Sequence, residues 1–205
     1  VDLNIGRKSA LIVVDVQRDF CPGGTLAVSE GDEIIEPINN LIKAFTKNGL
    51  PVIFTRDWHP KNHSSFNEYG GLWPPHCIQN TPGAEFHPKL NVPKDAITIS
   101  KATESNKDAY SGFEGTELAN ILRKLNVKNV FVSGLATDYC VKNTVIDALK
   151  NHFTTHIIID CIRGVNLKLT DSDKAIRKMV SLGAKKISCE RLAMSIRRVA
   201  VLSSS

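Results

Sequence analysis

The sequence predicts a three-layer, doubly wound α/β fold: about six mostly parallel strands in one sheet, with helices on both faces. Three observations carry this expectation. Short apolar runs alternate with stretches whose apolar residues recur at helical spacing. The opening reads strand, helix, strand, which calls for a right-handed crossover between parallel strands. The 205 residues suffice for one such domain and show no internal repeat or linker, so residues 1–205 are read as a single domain.

Residues 11–16 are a continuous apolar run broken only by Asp15, and read as a central strand buried on both faces. A carboxylate there is costly unless it is paired or neutralised. A loop over 17–28 follows, turning at Cys21-Pro22-Gly23-Gly24. Ile34, Ile35, Ile38, Leu41, Ile42 and Phe45 give helical spacing over 31–48, with Gly49 as the stop. Residues 51–56 form a second buried strand and end in Asp57-Trp58-His59-Pro60. The irregular segment 61–95 is rich in Pro, Gly, Asn and aromatics, and loops of that length in compact domains are usually functional. A short strand over 96–100 ends at Lys101, and a loop over 102–114 holds Tyr110-Ser111-Gly112-Phe113.

A helix over 115–125 precedes a strand over 129–133. Next comes a turn at Gly134 and a helix over 138–150, with Thr137 placed to cap it. Cys140 then falls in the first helical turn, where free N–H groups and the helix dipole favour a thiolate. A strand over 156–160, a helix over 171–182 ended by Gly183, and an edge strand over 185–188 complete the pattern. No element is assigned to residues 191–205, and Ser203-Ser204-Ser205 is expected to fray.

Charge and cysteine usage narrow the function classes. Lys and Arg outnumber Asp and Glu by 26 to 21, but no basic stripe carries interleaved aromatics; the densest basic cluster is Arg191, Arg197 and Arg198. That reads as solvated surface, with no nucleic-acid partner. No apolar run is long enough to cross a bilayer, and the first eight residues have no secretory core, so no membrane partner is expected. The five cysteines are widely spaced, without a C-x-x-C pair, which fits a reducing, cytoplasmic setting.

Asp15, Lys101 and the Cys140 turn each stand at the C-terminal end of an inferred strand. In a parallel sheet those ends share one edge, so an acid, a lysine and a cysteine can converge there. The lysine would favour the thiolate, and the acid would take the thiol proton and return it to a leaving amine. Asp57-x-His59 is a second constellation, two metal-capable side chains alternating along a strand end. His63, His76 and His87 compete for the third position, and such an oxygen and nitrogen set suits zinc, iron or manganese.

Taken together, residues 11–24, Arg56-Asp57-Trp58-His59-Pro60, Trp73-Pro74-Pro75-His76-Cys77, Lys101, Tyr110-Ser111-Gly112-Phe113 and residues 134–141 resemble the nicotinamidase group of the isochorismatase-like cysteine hydrolases. The resemblance runs in order from Ala10 to Ser188. It implies a metal-containing amidohydrolase that turns nicotinamide into nicotinate and ammonia in NAD salvage, through a thioester. It implies Asp15, Lys101 and Cys140 as catalytic residues, and the N–H groups of Ala136 and Cys140 as an oxyanion hole. It also implies a cis peptide between Leu135 and Ala136. One divalent metal, zinc foremost, is implied on Asp57, His59 and His76, with Glu68 as a further ligand and Ser64 and Ser65 as rivals; His63 then has a supporting place. Phe20, Trp73, Tyr110, Leu135 and Tyr139 are implied to line the substrate pocket. A related substrate such as pyrazinamide, a metal-activated water that leaves Cys140 a bystander, and a homo-oligomer all remain open.

Overall fold

The first strand, β1 (Ser9–Val14), is buried along its whole length. The computed structural model describes residues 5, 6 and 8–202, with side chains through 196; the expected fraying of 203–205 and the side chains of Arg197 and Arg198 lie outside the described residues. From β1 the chain crosses through α1 (Ile35–Lys47) to β2 (Val52–Asp57), then along the long irregular segment to β3 (Ile97–Lys101). It continues through α2 (Leu118–Lys124), β4 (Asn129–Leu135), a π-helical turn (Thr137–Val141), α3 (Lys142–Lys150) and β5 (Thr154–Arg163). The chain closes with α4 (Asp171–Ser181), β6 (Lys185–Ile187) and α5 (Cys189–Leu202).

All five strand pairings are parallel, in the order β3-β2-β1-β4-β5-β6. The order reverses between β1 and β4, and a crevice for ligands opens beyond the strand ends at such a point. Successive β1 side chains face opposite layers, as strand geometry requires. Leu11 and Val13 pack with α1 and α5 through Ile38, Leu41, Phe45 and Leu192. Ala10, Ile12 and Val14 pack with α2, α3 and α4 through Leu122, Val145 and Met179. Three layers result, as expected.

The differences have local causes. The first strand closes at Val14, because Asp15 turns the backbone to a φ of 48°. Residues 31–34 form turns, so α1 starts later than its apolar spacing suggests. β5 runs well past residue 160, and its pairing with β4 shifts register between Val132 and Gly134. Thr137 is the first residue of the π-helical turn, and no side chain caps that turn or α3. The undecided C-terminal stretch is α5, which buries Leu192 and Ile196 against the α1 side of the sheet. No described helix is long and apolar enough to cross a membrane.

Candidate active site

The deepest part of the site is built around Lys101. Asp57 and Lys101 are paired residues on β2 and β3. The lysine side chain therefore runs beneath Asp57 toward the exit of β1. Lys101 is 1% exposed and Asp15 0%. The Lys101 Nζ stands 3.0 Å from Asp15 Oδ2 and 3.4 Å from Cys140 Sγ. It also donates to the Ala109 carbonyl at 3.1 Å and to Asp57 Oδ1. Two carboxylates around one ammonium offset its desolvation, which a single partner rarely does. Thr55 Oγ1 donates to Asp15 Oδ1 at 2.6 Å and holds the carboxylate in place. Asp15 Oδ2 is at ion-pair distance from the lysine but outside hydrogen-bond alignment. Single ligand atoms of Asp15, Asp57 and Cys140 all lie within 4.8 Å of one another.

Burial pushes the Asp15 carboxyl up, and Lys101 offsets part of that. Burial lowers the Lys101 ammonium, but Asp15, Asp57 and Cys140 outweigh it and hold its pKa well above the usual value. Burial pushes the Cys140 thiol well up, and Lys101 recovers only part of the shift. Desolvation thus opposes the thiolate that helix-end placement favours, and outweighs the lysine. The site therefore sets a thiol and an acid, both of raised pKa, beside a lysine whose charged form is favoured.

Asp57 and His59 project together at the exit of β2. The long segment then joins the same stretch of chain: His59 N–H donates to the Cys77 carbonyl at 3.0 Å and Gln79 N–H to the His59 carbonyl at 2.8 Å. This ladder brings in His76. Single ligand atoms of Asp57, His59 and His76 lie within 4.8 Å of one another, and all three residues are buried. His59 Nδ1 faces the Ala102 carbonyl at 3.2 Å, and His76 Nδ1 faces that of Pro74 at 2.8 Å. Carbonyl partners of this kind assign the proton to Nδ1 and turn the Nε2 lone pair inward, as metal-binding histidines require. Burial lowers the His76 pKa, which keeps the ring neutral. For Asp57, burial raises the pKa, but Lys101 and His59 outweigh it and the carboxyl stays ionised. The donor set fits a divalent metal with positions left open.

Glu68 does not join this group. It is exposed on a 3-10 turn (Asn67–Tyr69), whereas Ser65 is buried and lines the cavity and Ser64 is exposed. His63 stacks on His59 with ring centroids 4.2 Å apart, and its two nitrogens face Ser65 Oγ at 2.7 Å and the Lys107 carbonyl at 3.2 Å. His87 is only partly buried and lies outside the group.

Above Cys140 lies a cavity walled by Phe20, Leu26, Trp73, Tyr110, Tyr139 and Val165. Trp73 Nε1 donates to the Tyr110 hydroxyl at 3.0 Å and its ring meets Tyr139 edge-on at 5.0 Å, so these walls brace one another. Ala136 and Cys140 both line the cavity, and the Leu135–Ala136 peptide is cis. Leu135 corrects the expected lining: its side chain is fully buried in the α1 side of the core. Leu26, Asp108, Ala109 and Val165 line the cavity without having been singled out. A signal for Val165 lay in the motif itself, since the buried Asp138 accepts the N–H groups of Val165 at 2.9 Å and Asn166 at 2.8 Å.

Residues 9–191 match the isochorismatase domain model. The chain is 40% identical over 196 residues to the nicotinamidase of Escherichia coli, covering 85% of this chain and 92% of that one. A pyrazinamidase of Pyrococcus horikoshii, crystallised in complex with zinc, superposes with a TM-score of 0.85 at 52% identity, covering 88% of this chain and 99% of that one. The yeast nicotinamidase bound to the inhibitor nicotinaldehyde superposes with a TM-score of 0.82 at 27% identity, covering 88% and 99%.

Proposed function

This chain belongs to the isochorismatase domain family, and from that premise we propose that it hydrolyses nicotinamide to nicotinate and ammonia through a thioester on Cys140, a reaction of NAD salvage. The observation that carries the reading is the convergence of Asp15, Lys101 and Cys140 beneath an aromatic-walled cavity whose flank presents Asp57, His59 and His76. The flat pyridine ring lies between Phe20, Trp73, Tyr110 and Tyr139, with the carboxamide over Cys140. Asp57, His59 and His76 would hold a divalent ion, zinc ahead of iron or manganese, which when bound supplies a Lewis-acid anchor for the pyridine nitrogen.

Asp15, with its raised pKa, takes the proton of the Cys140 thiol as sulfur attacks the amide carbon. The N–H groups of Ala136 and Cys140 donate to the oxyanion that forms, a contribution of about 2.7–4 kcal/mol per donor. Lys101 holds the negative charge that passes between sulfur and carboxylate. The C–N bond then breaks, and ammonia leaves with the proton from Asp15. Water attacks the thioester and loses a proton to Asp15. The C–S bond breaks, nicotinate departs, and the thiol recovers its proton. Pyrazinamide, with a ring nitrogen in the same relation to the amide, is accepted as well.

The test is ammonia release from nicotinamide by metal-replete protein, before and after replacement of Cys140 by Ala. Turnover by the parent and at least a thousandfold loss in the variant are expected. No release by the parent overturns the substrate; substantial activity in Cys140→Ala overturns the thioester and favours attack by an activated water.

A further inference from the structure

Two of the five cysteines stand together well away from Cys140. Cys161 lies on β5 in the α1 side of the core and is 0% exposed. Cys189 is the first residue of α5, is partly exposed, and lines a surface groove between α1 and α5. The topology brings their segments together. Ile158 pairs with Ile187 across β5 and β6, and just beyond that pair Cys189 meets Asp160, the chain neighbour of Cys161. The Asp160 carboxylate accepts the Cys189 N–H at 2.8 and 3.0 Å and pins the start of α5 in that place. Cys189 packs against the same apolar cluster that contains Cys161, and its thiol also reaches the Pro37 carbonyl at 3.5 Å.

We infer that Cys161 and Cys189 form a redox modification site, a dithiol that closes reversibly to a disulfide joining α5 to β5. It is independent of the proposed amide hydrolysis.

The roles of the two sulfurs follow from their positions. The interaction between the two thiols raises the pKa of Cys161 and lowers that of Cys189. The partly exposed Cys189 is thus both the more acidic and the more accessible thiol, the combination that favours reaction with an oxidant. With hydrogen peroxide as oxidant, the Cys189 thiolate attacks one peroxide oxygen, the O–O bond breaks, and a sulfenic acid and hydroxide form. Cys161 sulfur then attacks the Cys189 sulfur, the S–O bond breaks, and hydroxide leaves to be protonated by the displaced thiol proton. Two thiols and one peroxide give one disulfide and two waters.

The test is mild oxidation of the full chain by hydrogen peroxide, followed by thiol alkylation, trypsin digestion without reductant, and mass spectrometry. Cleavage after Lys150, Arg163, Lys186 and Arg191 places Cys161 in residues 151–163 and Cys189 in residues 187–191. The expected product is these two peptides joined with loss of two hydrogens, a fall in free thiols from five to three per chain, and reversal by dithiothreitol. In Cys189→Ser the joined species is absent and Cys161 remains a free thiol. A wild-type protein in which Cys189 is carried to sulfinic acid while Cys161 stays free, or in which the cross-link joins other cysteines, overturns the inference.

Discussion

Replacing Gly134 by Ala probes the seam on which the site depends. Gly134 pairs directly with Val14, where the sheet order reverses, and has a φ of 112°. An alanine Cβ would stand 2.0 Å from the Val14 carbonyl oxygen and 2.6 Å from its nitrogen, far inside the 3.4 Å of ordinary contact. These are backbone atoms, so no rotamer change relieves the overlap; β1 and β4 must separate or slip. The backbone conformation costs an alanine about 1–3 kcal/mol, and forcing a methyl into a packed interior costs about 1–3 kcal/mol more. A total near 4 kcal/mol corresponds to a fall in Tm of about 8–16 °C for a domain of this size. Asp15 follows one member of this pair and the Leu135–Ala136 turn follows the other, so activity per folded molecule falls too. Thermal unfolding followed by circular dichroism, with ammonia release measured below the transition, checks both effects. A Tm within 2 °C of the parent with full activity would refute the claim that backbone contact at this seam sets the site.

Burial and the positive charge of Lys185 hold the His156 imidazole down to about 4, from an ordinary 6.5. The unfolded chain therefore binds this proton more readily, and stability present above pH 6.5 is lost as pH falls toward 4; after allowance for solvent screening the loss is about 2 kcal/mol. Urea unfolding at both pH values measures it, and His156→Phe should remove this component. Gln17 is fully buried and its side-chain amide bonds both the N–H and the carbonyl of Asp57, and the Ala84 carbonyl. Gln17→Leu strands all three groups, so we expect a loss of about 3 kcal/mol in urea unfolding and weaker retention of an added divalent metal against a chelator; unchanged retention would deny Gln17 any hold on Asp57. Asp138→Ala removes both bonds that seat Val165 and Asn166, and should raise KM for nicotinamide more than it lowers kcat. An effect on kcat alone would mean that Val165 is no part of the ring pocket.

The layered α/β class, the order of the strands along the chain and the crowding of Asp15, Lys101 and the Cys140 turn at one sheet edge were legible in the sequence. They depend on period and on the shared direction of parallel strands, both local in origin. Which histidine joins Asp57 and His59 was not legible from spacing: His63 is nearer in sequence, but the ladder from His59 to Cys77 and Gln79 delivers His76, while Ser65 and Lys107 occupy the nitrogens of His63. Leu135, read as a pocket residue, points into the core, because the strand continues to Leu135 and the turn begins only after it. Glu68 has the right chemistry and the wrong exposure, since its 3-10 turn faces solvent.

The sequence by itself determined which elements form and which reactive side chains stand at their ends, because propensity and period act within a few residues. Only the tertiary structure decided the partners and the direction in which burial and pairing shift each pKa. Helix-end placement alone favours a thiolate at Cys140; burial pushes its pKa well up, and Lys101 stands between the Asp15 and Asp57 carboxylates. Desolvation and pairing depend on what the rest of the chain brings to within a few ångströms, and no local pattern carries that information.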